Sequence, residues 1–193
     1  TTTISNAIGQ GEVETTPMQL ANMTAAIANK GYFYRPHIVK KIGDNSIKNK
    51  AYVEKIKTTI DPQHFNIAVE AMHEVFTKGT ARGSQVPGIE ICGKTGTVEN
   101  FIRINGKRKQ LEDHSILVAF APKDNPKIAL AVYIENGGYG STIAAPITSL
   151  LIEKYLKGEI ERKYVEKRML DLSLQAEYDK LIPKIDTIAS GEK

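Results

Sequence analysis

Apolar positions along the chain follow two periods, one helical and one alternating. Leu20, Met23 and Ile27 recur at helical spacing behind Thr16-Pro17-Met18-Gln19. Thr16 suits an N-cap, Pro17 the first helical position, and Gln19 completes a capping box. Gly31 suits the C-terminal cap. Asp61-Pro62 repeats the opening signature, and Phe65, Val69, Met72 and Phe76 then share a face until Gly79. A third helix is predicted from Ile147, Leu150, Leu151 and Tyr155, closed by Gly158. Strands are predicted over 38–42, 89–97, 115–121 and 128–135, with a hairpin tip at Asn105-Gly106 inside 101–113. Residues 1–15, 41–50, 79–88, 122–126 and 136–140 read as loops and turns.

The order of elements is helix, helix, three consecutive strands, then a covering helix. That predicts an α+β fold: an antiparallel sheet, at least a three-strand meander, covered by helices. After Gly158 the composition turns to charge. Leu170, Leu174, Tyr178 and Leu181 are spaced like one helical face, and Pro183 stops or kinks it. The expected division is a body over 1–158 and a mostly helical tail over 159–193 that packs on the body or on a partner.

Composition narrows the function classes. The chain has 193 residues and a net charge of +4, ordinary for a globular protein. Basic residues form no stripe interleaved with aromatics, which argues against nucleic acid as the main partner. No apolar run approaches the roughly 20 residues of a membrane span. The single cysteine, Cys92, forbids an internal disulfide and reads as an inert buried thiol. The start Thr1-Thr2-Thr3, without Met, reads as an excised or processed piece. His37, His64, His73 and His114 lack metal-ligand spacing, so no metal site is expected. Asp113 and His114 are neighbours on a strand and point to opposite faces; the pair reads as structural. Arg103, Lys107, Arg108 and Lys109 read as a solvated hairpin, with a charge that also suits a membrane surface or an anionic polymer.

The most informative stretch runs from Gly88 to Thr97. Gly88 to Thr95 satisfies the phosphate-binding pattern G-x-x-x-x-G-K-[ST]. That motif needs a strand before the first glycine and a helix starting at the lysine, so that loop amides meet the phosphate. Here a turn precedes Gly88, the intervening residues alternate as in a strand, and Gly96-Thr97-Val98 forms helix poorly. The context therefore argues against a nucleotide.

The same residues hold a Lys-Thr-Gly element, the strand motif of penicillin-binding proteins and serine β-lactamases. Its chemistry suits an edge strand. Lys94 offers a fixed positive charge, and the hydroxyls of Thr95 and Thr97 can donate to a substrate carboxylate. Gly96 lets a substrate backbone lie close, and the Thr97 N–H can help hold an oxyanion. Parity puts Thr95 and Thr97 on one face and Lys94 on the other, reaching the site from the buried side.

The flanks extend the likeness. Ile8-Gly9-Gln10-Gly11, Thr16-Pro17-Met18-Gln19-Leu20-Ala21, Ala25-Ala26-Ile27-Ala28-Asn29-Lys30-Gly31 and Tyr34-Arg35-Pro36-His37 come before Gly93-Lys94-Thr95-Gly96-Thr97. Asp113-His114-Ser115, Ala119-Phe120-Ala121-Pro122, Glu135-Asn136-Gly137-Gly138-Tyr139-Gly140-Ser141 and Ala144-Ala145-Pro146-Ile147 come after it. In this order they resemble class B penicillin-binding proteins, and among these the elongation transpeptidases of the penicillin-binding protein 2 group. The resemblance covers about residues 4–158.

It implies a partial penicillin-binding protein/serine β-lactamase-like transpeptidase fold. It also implies a parent enzyme that cross-links peptidoglycan stem peptides through a serine acyl-enzyme, without metal or cofactor, and that β-lactams trap. The parent would be anchored in the bacterial cytoplasmic membrane, act outside it and work with cell-wall elongation proteins. Lys94, Thr95 and Thr97 would be catalytic; Thr95, Gly96 and Thr97 would bind substrate. The family's S-x-x-K and S-x-N motifs are absent upstream of Lys94; Ser190-Gly191-Glu192-Lys193 lies in the wrong place. The 193 residues alone are therefore expected to be inactive, with the 128–135 strand left as an open edge. A non-catalytic interaction module that uses the basic hairpin and tail is the alternative. A penicilloyl-sensing receptor or a class D β-lactamase shares the strand motif, but the 113–147 flanks suit a transpeptidase better.

Overall fold

The computed structural model describes residues 2–46, 49–104 and 106–180. Helix α1 (Thr2–Ala7) leads through a glycine-containing loop to α2 (Pro17–Ala28). The capping box forms as expected: the Gln19 N–H donates to Thr16 Oγ1 at 3.3 Å and the Thr16 N–H to Gln19 Oε1 at 2.8 Å. At the other end the amides of Lys30 and Gly31 donate to the carbonyls of Ile27 and Ala26, a paired C-terminal cap. Lys30 itself takes the left-handed turn, at φ 54°, and Gly31 follows at φ 109°.

Five short elements fill the connection: β1 (Tyr32–Phe33), β2 (Lys41–Ile42), β3 (Asn45–Ser46), α3 (Lys50–Val53) and β4 (Ile56–Lys57). β1 pairs with β4 and β2 with β3. The strand expected over 38–42 shrinks to β2, and Ile38 is 96% exposed. Strand-forming residues make a strand only where a neighbouring ladder accepts them. A 3-10 turn (Pro62–His64), its first amides capped by Asp61, then opens α4 (Phe65–Thr77). Phe65, Val69 and Phe76 are buried, as their period predicts.

A second 3-10 turn (Arg82–Ser84) precedes β5 (Cys92–Val98), β6 (Phe101–Ile104), β7 (Lys107–Gln110), β8 (His114–Ala121) and β9 (Ile128–Ile134). The main sheet is antiparallel in the order β5-β8-β9, and β6-β7 is a separate hairpin. The expected meander is therefore present, with β9 as an edge among the described residues. The strand expected from residue 89 starts at Cys92, because Val86 and Ile89 bridge across a turn in which Gly88 has φ 77°. Of the expected hairpin tip, Gly106 is left-handed at φ 75° and Asn105 lies outside the described residues.

Helix α5 (Ala144–Lys157) ends at left-handed Gly158, and α6 (Lys163–Leu170) and α7 (Gln175–Asp179) follow. The register pairs Cys92 with Phe120 and Thr95 with Leu117, and directly opposed residues share a face. One face carries Leu117, Ala119, Ala121 and Val132 and is sealed by Ala144, Ala145 and Ile152 of α5. The other carries Cys92 and Phe120, covered at that end by Ala28 of α2 and Val69 of α4.

Four expectations change. Residues 2–7 form a helix rather than a loop, although threonines and Asn6 favour helix weakly. Met23 is exposed, and the neighbouring Thr24 is buried, its hydroxyl donating to the Leu20 carbonyl at 2.7 Å. In α5, Leu151 and Tyr155 face solvent while Thr148, Ser149, Ile152 and Glu153 turn inward. Arg162 offsets part of this polar stripe, its Nε donating to Glu153 Oε2 at 2.9 Å and its Nη2 to Ser149 Oγ at 3.1 Å, while Thr148 Oγ1 and Glu153 Oε1 have no partner. In the tail, Leu170 ends α6, Leu174 precedes α7 and Tyr178 lies in α7, so the three share no single helical face, with Leu181 and Pro183 outside the described residues. The tail docks on the body through Arg162 and through Lys109 Nζ, which donates to the Lys180 carbonyl at 3.3 Å.

Candidate active site

Lys94, Thr95, Gly96 and Thr97 occupy the middle of β5, at the opposite edge of the sheet from β9. The Thr95 carbonyl accepts from Lys94 Nζ at 2.8 Å, and the Thr97 carbonyl accepts from Gln10 Nε2 at 2.9 Å. In an antiparallel ladder, a residue's N–H and C=O point to the same side. The Thr95 and Thr97 amides therefore also face the outer edge, away from β8. The strand continues through the lysine to Val98 and no helix starts there. The phosphate-loop geometry is thus missing.

Lys94 leaves the sheet on the face opposite Thr95 and Thr97, as parity predicts. It differs from expectation in burial. Lys94 is exposed, because α2 and α4 cover only the Cys92–Phe120 end of that face. Behind it, Cys92 is fully buried, and burial pushes its thiol from an ordinary 9.0 up to about 12. That agrees with an inert thiol, since the thiolate is the reactive form.

The opposite face is closed over Gly96 by the loop after β9. A Cβ on Gly140 would come within 2.4 Å of the Ile116 carbonyl oxygen and 2.6 Å of that of Gly96. Only glycine lets the two backbones approach so closely. Ser115 locks this loop in place, its hydroxyl donating to the Tyr139 carbonyl at 3.0 Å and accepting from the Ala144 N–H at 3.2 Å. Asn136, left-handed at φ 53°, donates its N–H to His114 Nδ1 at 3.1 Å and accepts from Asn100 Nδ2 at 2.6 Å. Asp113 accepts from the Asn100 N–H at 3.3 Å. Asp113 and His114 therefore brace the loop by separate bonds and form no dyad. With Gly140 seated on the strand, this face of Gly96 is closed, and the Lys94 face stays open.

Two contacts at this edge escaped the sequence reading. Gln10 meets Thr97 across 87 positions, and Thr80 Oγ1 lies 2.8 Å from Thr95 Oγ1. Thr80 belongs to no motif, and Gln10 belongs to one whose contact is purely tertiary. A cavity of about 480 Å³ lies before the motif, against His73, Phe76, Gln85, Val86 and Glu90, and none of residues 94–97 lines it. Among the described residues, no group of His, Cys, Asp and Glu is placed to hold a metal, and no helix is long and apolar enough to cross a membrane. Arg108 of the hairpin stacks over Phe101 at 4.1 Å and pairs with Glu99 at 3.4 Å.

Residues 1–153 match the family described as the penicillin binding protein transpeptidase domain. The chain belongs to this family. It is 39% identical over 153 residues to the peptidoglycan D,D-transpeptidase MrdA of Acinetobacter baumannii, covering 74% of this chain and 22% of that protein. It is 32% identical over 160 residues to the peptidoglycan D,D-transpeptidase PbpA of Mycobacterium tuberculosis, covering 79% of this chain and 32% of that protein. The alignments thus span between a fifth and a third of the length of these curated relatives. Among solved structures, Pseudomonas aeruginosa PBP2 in complex with WCK 5153 superposes with a TM-score of 0.66 at 34% identity, covering 84% of this chain and 35% of that one. The imipenem acyl-enzyme of penicillin-binding protein A from M. tuberculosis gives 0.64 at 33% identity, covering 78% of this chain and 33% of that one. The α+β transpeptidase fold expected from the flanking motifs is therefore present.

Proposed function

We propose that this chain supplies one wall of a serine-type peptidoglycan D,D-transpeptidase site, in a longer protein whose other segments carry the nucleophile. The observation that carries the reading is the outer edge of β5, where the Thr95 and Thr97 hydroxyls and the Thr97 amide lie along one open strand. In this reading the terminal carboxylate of a stem peptide takes hydrogen bonds from Thr95 and Thr97, with Lys94 supplying positive charge. The peptide backbone lies along Gly96. A serine attacks the D-Ala-D-Ala carbonyl, the Thr97 N–H steadies the oxyanion, and D-alanine leaves with a proton. An amine of a second stem peptide then displaces the serine and forms the cross-link. A β-lactam enters as the donor and stays as a stable acyl ester.

By the same reading, residues 1–158 are the C-terminal segment of the transpeptidase domain and 159–193 an appended tail. The longer protein is anchored in the bacterial cytoplasmic membrane, acts on its outer side and works with cell-wall elongation proteins. No metal or cofactor enters a step.

Fluorescent penicillin tests the proposal. The full gene product should be labelled covalently, and the 193-residue chain should not. An unlabelled full product would overturn the transpeptidase reading. A labelled 193-residue chain would overturn the placement of the nucleophile elsewhere.

A further inference from the structure

We propose that Thr80 is a positioning residue for ligand carboxylates. It donates its hydroxyl proton to Thr95 Oγ1 and so commits the Thr95 proton to the anion. The inference rests on reading β5 as the edge strand of a transpeptidase.

The starting observation is the 2.8 Å contact between the two hydroxyl oxygens, in which either can be the donor. A threonine hydroxyl carries one proton and two lone pairs, whereas an ionised carboxylate only accepts. With a carboxylate against Thr95, the one Thr95 proton must point at it. The bond to Thr80 then survives in a single direction, from Thr80 to Thr95. In that state the bond selects the Thr95 rotamer that serves an anion and polarises its O–H, as linked hydrogen bonds do. Without Thr80, Thr95 has one partner fewer to fix its rotamer and orders only when the ligand arrives.

The backbone around Thr80 is built to hold it still. On one side, the Gly79 N–H donates to the Glu74 carbonyl at 2.8 Å, and a Cβ there would come within 2.8 Å of Val75 Cα. On the other, Ala81 is 1% exposed in the main core and its N–H donates to the Val75 carbonyl at 3.0 Å. The next turn is clamped by Gln85 Nε2 on the Phe76 carbonyl at 2.7 Å and by Arg162 NH1 on the Gln85 carbonyl at 3.1 Å. A side chain on such a support is ordered before a ligand binds, which is the condition for a positioning role. The Thr80 side chain itself is exposed. Removing its hydroxyl leaves no buried orphan, so the role is separable from stability.

The experiment uses the full-length protein carrying Thr80→Val, Thr80→Ala or Thr80→Ser. Acylation is followed with a carboxylate-bearing β-lactam and with the methyl ester of the same compound. Thr80→Val and Thr80→Ala should slow acylation by the free acid about tenfold, through weaker binding before the covalent step, and acylation by the ester less than about twofold. Thr80→Ser should restore the free-acid rate, and melting temperatures should stay unchanged. Equal losses for acid and ester would overturn the proposal in favour of a general structural role, and no loss would overturn it outright. Wild-type protein that neither compound acylates would bring down the transpeptidase reading, and this inference with it.

Discussion

The two faces of the β5-β8-β9 sheet are finished to different degrees. On the α5 face, Leu117, Ala119 and Ala121 are fully buried against Ala144, Ala145 and Ile152. On the other, α2 and α4 bury Cys92 and Phe120 but leave Lys94 exposed and Ile116 and Val118 half-open. The candidate motif sits between them, with Thr95 and Thr97 on the finished side and Lys94 on the unfinished side. The closed face sets the strand rigidly, and the open one leaves the lysine reachable. A site wall needs both, since a catalytic strand must be held firmly and still present groups to a ligand.

This contrast can be broken at graded cost. Leu117→Ala removes a fully buried side chain from the closed face and should cost about 4 kcal/mol in urea unfolding. Arg162→Ala should cost about 3 kcal/mol, because it strands the Glu153 carboxylate, which is 0% exposed and has one oxygen already without a partner. The double change Arg162→Ala with Glu153→Leu should recover most of that loss. Gly140→Ala should cost about 2 kcal/mol by pushing the loop off Gly96. Val118→Ala, on the open half of the other face, should cost less than about 1 kcal/mol. A cost for Val118 equal to that for Leu117 would show that the second face is closed in solution.

Cys92 gives the smallest effect, confined to alkaline pH. Its thiol titrates higher in the folded chain than in the unfolded one, so the stability it contributes is complete below about pH 9 and is lost as pH rises toward about 12. Between pH 8 and pH 10, the wild-type chain should therefore lose more stability in urea than Cys92→Ala. Equal losses would show that the thiol ionises freely in the native state.

Some of these features were legible in advance. Thr16-Pro17-Met18-Gln19 and Asp61-Pro62 marked helix starts because caps are local chemistry between residues two or three apart. The meander followed from alternation broken by turns. Sequence alone points the wrong stripe of α5 inward, because Leu151 and Tyr155 outweigh Thr148, Ser149 and Glu153 in apolar content. What turns the polar set inward is Arg162, nine positions beyond Glu153 and across Gly158. The strand over 38–42 survives only at Lys41–Ile42, the two residues that find a ladder partner, in Asn45–Ser46.

By itself the sequence determined the helix caps, the three-strand meander, the family and the position of Lys94-Thr95-Gly96-Thr97 on a strand. All of these depend on sterics and periods spanning a few residues, or on motifs read in order. Tertiary structure alone decided that the Thr97 carbonyl meets Gln10, that Gly140 seats on Gly96, that Thr80 touches Thr95, and that Lys94 stands in the open. These depend on which distant segments arrive at the same edge. Their partners lie 15 to 87 positions away for Thr80 and Gln10, and no local propensity encodes such an approach.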